Sequence, residues 1–384
     1  MQASDLFADI RPYNDLEVAQ VLQRLLASNE LPQAIVGFNL PWLPVRMRSL
    51  FTPILRFVLK RQLRHVQTVE QFQAWLSRML KLLVKRTCHG VEVRGLDKLT
   101  PGQAYLWISN HRDIAMDPLL INYSLYKAGW PTSRIAIGDN LLAHKDVADI
   151  MRLNKSFVVK RNIGSRREKL TELQKLSAYI RHSLETGHSI WLAHKEGRAK
   201  DGIDKTDTAV LKMLALHGRS LDEDFPTSMA ALSPVPVCIQ YEWDPCDLLK
   251  AKELVAIKNH GKYKKAENED THSILLGLTG QKGKVIVDFG RPLTAQECET
   301  PEVMAQAIDA QLVQAQQVTA VQETALSLLQ QLNPEYEQYA GAKLTEETVK
   351  QLTQRLTGQT EEVCERVLKT YAMPLLRANK KAEG

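Results

Sequence analysis

The sequence predicts an α/β fold: a mixed, largely parallel sheet flanked by helices, with helical additions at both ends. Three observations lead there. Between about Gly90 and Gly290 short apolar runs alternate with helix-patterned segments, the order produced when strands are joined by crossover helices. The chain before and after that stretch keeps helical periodicity without strand-like runs. At 384 residues, 44% hydrophobic and 24% charged, the chain is long enough for a large core and too apolar to be disordered.

The elements follow in order. Residues 1–88 read as an N-terminal helical, cationic amphipathic region. Leu16, Val18, Val21, Leu22, Leu25 and Leu26 recur at helical spacing. From Asn39 to His65 the chain holds Arg46, Arg48, Arg56, Lys60, Arg61 and Arg64 and no acid, interleaved with Leu50, Phe51, Ile54, Phe57 and Val58. A second cationic stretch, Phe72 to Arg86, carries Trp75, Leu76, Met79, Leu80 and Leu83 on one face. Residues 89–299 form the α/β region. Its strands are predicted at Val91–Val93, Ala104–Ser109, Arg134–Gly138, Ser156–Val159, His188–Ala193, Pro234–Tyr241 and Lys284–Phe289. Helices are predicted at Pro118–Ala128, Ser165–Glu185 and Thr206–His217; the second opens on the capping-box spacing Ser165 to Glu168 and stops at Gly187. Lys258 to Thr271, rich in Lys, Asn and Glu, reads as an exposed loop. Residues 300–384 read as a helical region broken at Asn333-Pro334.

Charge and cysteine usage narrow the function classes. A net charge of +6 points to an anionic partner: a phosphorylated substrate, an anionic membrane or a nucleic acid. Nucleic acid is disfavoured, because no recognised binding motif accompanies the charge. Five scattered cysteines without a C-x-x-C argue against a disulfide framework and against a metal site, and favour a reducing, cytoplasmic setting. The start Met1-Gln2-Ala3-Ser4-Asp5 lacks the pattern of a signal peptide. The charge-free stretch Leu31 to Val45 contains three prolines and is shorter than the roughly 20 residues a membrane span requires. Membrane contact is therefore expected to be peripheral, through the cations and apolar residues of Asn39 to Arg86.

Three polar clusters each follow a strand candidate. Asn110-His111-Arg112-Asp113 follows Ala104–Ser109, Lys160-Arg161 follows Ser156–Val159, and His194-Lys195-Glu196-Gly197-Arg198 follows His188–Ala193. In parallel sheets ligands bind outside the carboxyl ends of strands, so the three clusters are expected at one edge. A histidine beside a carboxylate is the kit for general-base chemistry. His111-Arg112-Asp113 also looks like the HRD element of a protein kinase, but Pro118 stands where such a loop needs Asn. No G-x-S-x-G elbow is present, so no acyl-serine intermediate is expected.

The same residues resemble the glycerolipid acyltransferase family. Asn110-His111 with Asp117 is similar to its first block, Phe157-Val158-Val159-Lys160-Arg161 to its second, Glu196-Gly197-Arg198 to its third, and Val235-Pro236-Val237 to its fourth. The resemblance implies an O-acyltransferase that moves a fatty acyl group from acyl-CoA or acyl-carrier protein, as co-substrate, to the hydroxyl of a glycerol-phosphate acceptor such as lysophosphatidic acid. It implies no cofactor. It makes His111 the base, Arg161 with Lys160 or Arg198 the holders of the acceptor phosphate, and Glu196 and Asn110 further site residues. Backbone N–H groups near Gly197 are placed to face an oxyanion. The alternatives are transfer to another lysophospholipid or amino-lipid, and a non-catalytic lipid-binding protein of the same fold. The expected location is cytoplasmic, peripheral to the inner face of the membrane. Two spacings depart from the family pattern: Arg198 directly follows Gly197 where many members have an intervening residue, and Asp117 lies six positions after His111 instead of five. Either the turn carries an extra residue or Asp113 supplies the partner carboxylate.

Overall fold

The computed structural model describes residues 5–28, 32, 35–36, 44–142, 144–161, 163–266, 268–339 and 344–382. Most of the predicted stretch 31–45 lies outside these residues, as do the side chains of Arg46 and Arg48. All seven predicted strands are present: β1 Cys88–Arg94, β2 Leu106–Ser109, β3 Arg134–Gly138, β4 Ser156–Val159, β5 Ile190–Ala193, β6 Pro234–Tyr241 and β7 Gly283–Phe289. The chain divides into two compact units, Met1–Leu82 with Thr132–Trp191, and Leu83–Pro131 with Leu192–Gly384. These units cut across the three sequence regions.

In the first unit, β3 pairs in parallel with β4 on one side and with Ile190-Trp191 of β5 on the other. The early helices are α1 Asp15–Ala27, α2 Val45–Leu63 and α3 Val69–Thr87, whose last five residues pass into the second unit. The crossovers from β3 to β4 to β5 are α5 Lys145–Leu153 and α6 Arg166–Glu185. Asn14 caps α1 and Ser165 caps α6, each through a complete capping box. The buried face of α1, Val18, Val21, Leu22 and Leu25, packs with Leu63, Val69, Phe72 and Leu153.

In the second unit the strand order is β1-β7-β6-β2, followed by the end of β5. β1 runs parallel to β7 and β2 parallel to β6, while β6 and β7 are antiparallel. Leu106, Trp107 and Ile108 of β2 are wholly buried, each contributing about 1.5–3 kcal/mol of apolar burial. A strand covered on both faces reads as an unbroken apolar run, which is why the pattern located it. Helices here include α4 Met116–Lys127, α7 Thr208–Leu214, α8 Leu216–Arg219 and α9 Phe225–Ala230. The helix predicted at Thr206–His217 is thus two short pieces, with Ala215 between them.

The expected exposed loop at Lys258 to Thr271 is present in its middle, where residues 261–266 are exposed, and helices take up its two ends. α10 spans Asp247–His260 and α11 spans Glu269–Thr279, with Gly261 (φ +73°) ending the first in a left-handed cap. α10 buries Asp247, Lys250 and Glu253 along with Ala251, so its inward face is charged and gives no apolar stripe. The C-terminal helices are α12 Pro301–Ala315, α13 Ala320–Leu332, α14 Glu346–Leu356 and α15 Glu361–Ala382. Ala325, Leu329, Leu352, Val367, Leu368 and Ala372 build a core with Ala251 of α10. The break at Asn333-Pro334 is where α13 ends. Among the described residues no helix is long and apolar enough to cross a membrane.

Candidate active site

β2 ends at Ser109, and the next side chain closes the strand in place of backbone. The Asn110 amide nitrogen donates to the Ile239 carbonyl (3.0 Å) and its oxygen accepts from the Ile239 N–H (2.8 Å), both on β6. The same nitrogen reaches Asp204 Oδ2 at 3.2 Å. Asn110 is fully buried. Both ends of its amide are used inside the fold, between the end of β2 and Ile239 of β6.

His111 then meets Asp117, with Nδ1 2.8 Å from Oδ2. Because a carboxylate only accepts, this pairing puts the proton on Nδ1 and leaves Nε2 as the basic nitrogen. Asp117 is wholly buried in the first turn of α4. Its Oδ2 also accepts from the backbone N–H groups of Arg112 (2.7 Å) and Asp113 (2.9 Å), and its Oδ1 from the Tyr241 hydroxyl (2.7 Å).

The spacing question is settled by what Asp113 does instead. Its Oδ1 accepts from the N–H groups of Ala115 (3.0 Å) and Met116 (2.8 Å), capping the start of α4. The extra residue is absorbed in that local turn, and Asp113 is not the partner of His111. Its other oxygen is buried against Gly277 of α11, where a Cβ would lie 2.1 Å from it. Burial first, and the Asp117 charge second, push the Asp113 carboxyl up.

The loop between His111 and Asp117 is held from behind as well. The Arg112 guanidinium pairs with Asp204 at 2.6 Å, and its carbonyl accepts from the Lys250 ammonium at 2.6 Å. Lys250, on α10, is buried and ion-paired with Asp244. Burial alone would raise the Asp244 carboxyl, but the Lys250 ammonium outweighs it and holds the group below its ordinary range. Asp244 N–H donates to the Tyr371 hydroxyl (2.9 Å), which itself donates to Asp247 (2.8 Å), where Arg355 also binds.

The third cluster lies beside the first. The N–H of His194 donates to the Ser109 carbonyl (2.8 Å) and the N–H of Ala199 to the His111 carbonyl (2.7 Å). His194 is fully buried, with Nδ1 3.3 Å from Thr206 Oγ1. Burial pushes its imidazole down to about 4, so it is neutral near pH 7. Glu196 and Gly197 (φ +79°) form the exposed crown of the turn. Arg198 is half-buried: Nη2 lies 3.4 Å from Ser273 Oγ of α11, and Nη1 is buried without a hydrogen-bond partner among the described residues. Val235-Pro236-Val237, the fourth block, lines up with Trp107, Ile108 and Ser109 in the β2–β6 register.

The second cluster belongs to the first unit. Lys160 pairs with Asp9 (2.8 Å) and Glu172 (3.0 Å), while the Arg161 guanidinium packs over Gly138, where a Cβ would stand 2.7 Å from its Nε. Tyr241, Asp204 and Lys250 carry no signal in the sequence that links them to His111. Tyr241 sits inside a predicted strand and Lys250 in an unpredicted helix, and no local pattern joins either to His111. Among the described residues no group of three or more His, Cys, Asp or Glu is arranged to hold a metal ion.

Residues 90–217 match the family model described as Acyltransferase. A search of curated protein sequences finds no match. Among solved structures, the chain is similar to the 1-acyl-sn-glycerophosphate (LPA) acyltransferase PlsC of Thermotoga maritima, at 14% identity and a TM-score of 0.42, over 76% of this chain and 98% of that one.

Proposed function

We propose, from the match of residues 90–217 to the acyltransferase family model, that the chain acylates the hydroxyl of a glycerol-phosphate lipid precursor such as lysophosphatidic acid, with acyl-CoA or acyl-carrier protein as donor. The observation that carries this reading is the buried, fully bonded Asp117 holding Nδ1 of His111. His111 Nε2 takes the proton of the acceptor hydroxyl, whose oxygen attacks the thioester carbonyl. The tetrahedral intermediate collapses, the thiolate leaves, and the imidazolium returns the proton to sulfur. Such a base is worth about 10²- to 10⁴-fold.

The remaining roles belong to the same proposal. Arg198, in the same unit as His111, is assigned to the acceptor phosphate through charge-assisted hydrogen bonds, and Arg161, in the first unit, is a separate anion-binding candidate. Lys160 is a weaker candidate because Asp9 and Glu172 already hold its ammonium. Glu196 orders the acceptor, and backbone N–H groups at Gly197 face the oxyanion. Peripheral attachment to the anionic inner face of a membrane is supported by α2, where Leu50 (68%), Ile54 (63%) and Phe57 (68%) are exposed beside Lys60, Arg61 and Arg64.

The test is transfer from radiolabelled acyl-CoA to lysophosphatidate by purified protein. His111→Ala is expected to lose about 10²- to 10⁴-fold; undiminished transfer would overturn the mechanism. Transfer to a different lysolipid alone reassigns the acceptor, and vesicle binding without transfer to any acceptor leaves a lipid-binding protein. Binding to anionic vesicles is expected to weaken as salt is raised, and salt-independent binding removes the electrostatic part of the membrane proposal.

A further inference from the structure

Asp117 has two oxygens, and they are used differently. Oδ2 serves His111 and two backbone N–H groups, so its accepting capacity is filled. Oδ1 has one donor among the described residues, the Tyr241 hydroxyl at 2.7 Å. The carboxylate is wholly buried, so without Tyr241 that oxygen would lie away from solvent with no donor. Tyr241 is the last residue of β6, whose N-terminal part is in register with β2, so the strand that backs the histidine loop also delivers the phenol.

We infer that Tyr241 is a positioning residue that sets how strongly the His111–Asp117 pair holds a proton. The inference rests on the reading of His111 as the base. A hydroxyl donating to Oδ1 draws charge from the carboxylate and fixes its plane against the imidazole. Removing it concentrates the negative charge on the side facing Nδ1, which favours the protonated imidazole. The base then becomes competent only at higher pH.

Other charged groups face this set, and a phenol deletion leaves all of them in place. Asp113 and Cys88 face Tyr241, Asp113 and Arg112 face Asp117, and His194 faces His111. Burial pushes the Asp113 carboxyl and the Cys88 thiol up, and burial with the nearby acids pushes the Tyr241 phenol well above its ordinary range. The phenol is therefore a donor across the working range.

Tyr241→Phe keeps the ring and removes only the donor. Its thermal midpoint is expected to stay within a few degrees of wild type. Its kcat is expected to fall about 10-fold with KM little changed. The acid limb of the pH–rate profile, and the histidine resonances followed by NMR with histidine-labelled protein, are both expected to respond at higher pH than in wild type. Profiles and titrations that superimpose on wild type would reduce Tyr241 to a filler of space and overturn the inference. The NMR arm separates the two readings: activity that survives His111→Ala defeats the base assignment, whereas the titration still reports whether the phenol tunes the pair.

Discussion

His111 and Arg161 each stand two residues past the end of a parallel strand, β2 and β4, yet the structure treats them in opposite ways. Around His111 every neighbour is fixed from several sides: Asn110 by β6, Asp117 by four donors, Arg112 by Asp204 and Lys250. Beside Arg161 the ion pairs are partly exposed. Lys160 is shared between Asp9 and Glu172, and Asp9 in turn holds Lys175. The same place in a strand–loop unit can therefore host a preorganised group or an adjustable one, and buried hydrogen bonds make the difference. In the proposed roles, proton transfer needs the first kind and anion binding tolerates the second.

The sharpest way to break this contrast is Asp117→Asn. The side chain keeps its shape, and the N–H groups of Arg112 and Asp113 hold the amide oxygen toward Nδ1, but the negative charge that stabilises the imidazolium is lost. Loss of transfer by about 10³- to 10⁴-fold is expected in a steady-state assay, and a near-normal rate would mean that the buried loop is not preorganised for a base.

Next in size is a pH effect on stability. Burial holds the His194 imidazole at about 4 in the fold, against 6.5 as its ordinary value. Between those values the unfolded chain binds a proton that the folded one does not, so stability is full above 6.5 and declines as pH falls toward 4. The whole window is worth about 3 kcal/mol. Urea unfolding at about pH 7.5 and about pH 5 should show a steeper loss for wild type than for His194→Gln; equal slopes would show that His194 is not held neutral. Asp9 gives the opposite contrast. Burial opposes its ionisation, but hydrogen bonds from Lys160 and Lys175 hold it at about 2, below its ordinary 3.8. Its small contribution is present above 3.8 and is lost only as pH falls through 2.

The smallest effect is expected from Lys160→Ala. The pair is partly exposed, so the change in stability should stay within about 0.5–1 kcal/mol by denaturant titration. A larger loss would place this strand end among the rigid parts and erase the comparison.

How much of this was legible in the sequence depended on where the partners lay. The seven strands were legible because buried strands are short apolar runs set off by turns. His111 and the turn at Glu196 were legible because they follow such runs directly. The spacing of Asp117 was ambiguous because an inserted residue can be hidden in a side-chain-capped turn, as Asp113 does. α10 left no apolar stripe because its inward face is made of Asp247, Lys250 and Glu253. Tyr241 and Asp204 lie 124 and 94 positions in sequence from the residues they bond, Asp117 and Asn110, and no local pattern reaches that far.

The match to the acyltransferase model ends at residue 217, but the groups that hold the histidine loop do not. Ile239, Tyr241, Asp244 and Lys250 all come later, and Asp244 and Asp247 are themselves gripped by Tyr371 and Arg355. A fragment trimmed to the matched segment would keep the motif and lose its scaffold: Asn110 without its strand, Asp117 without its hydroxyl, Arg112 without its ammonium. The smallest piece of this chain that can be expressed with the site intact runs to the last helix, and homology boundaries are a poor guide to where to cut it.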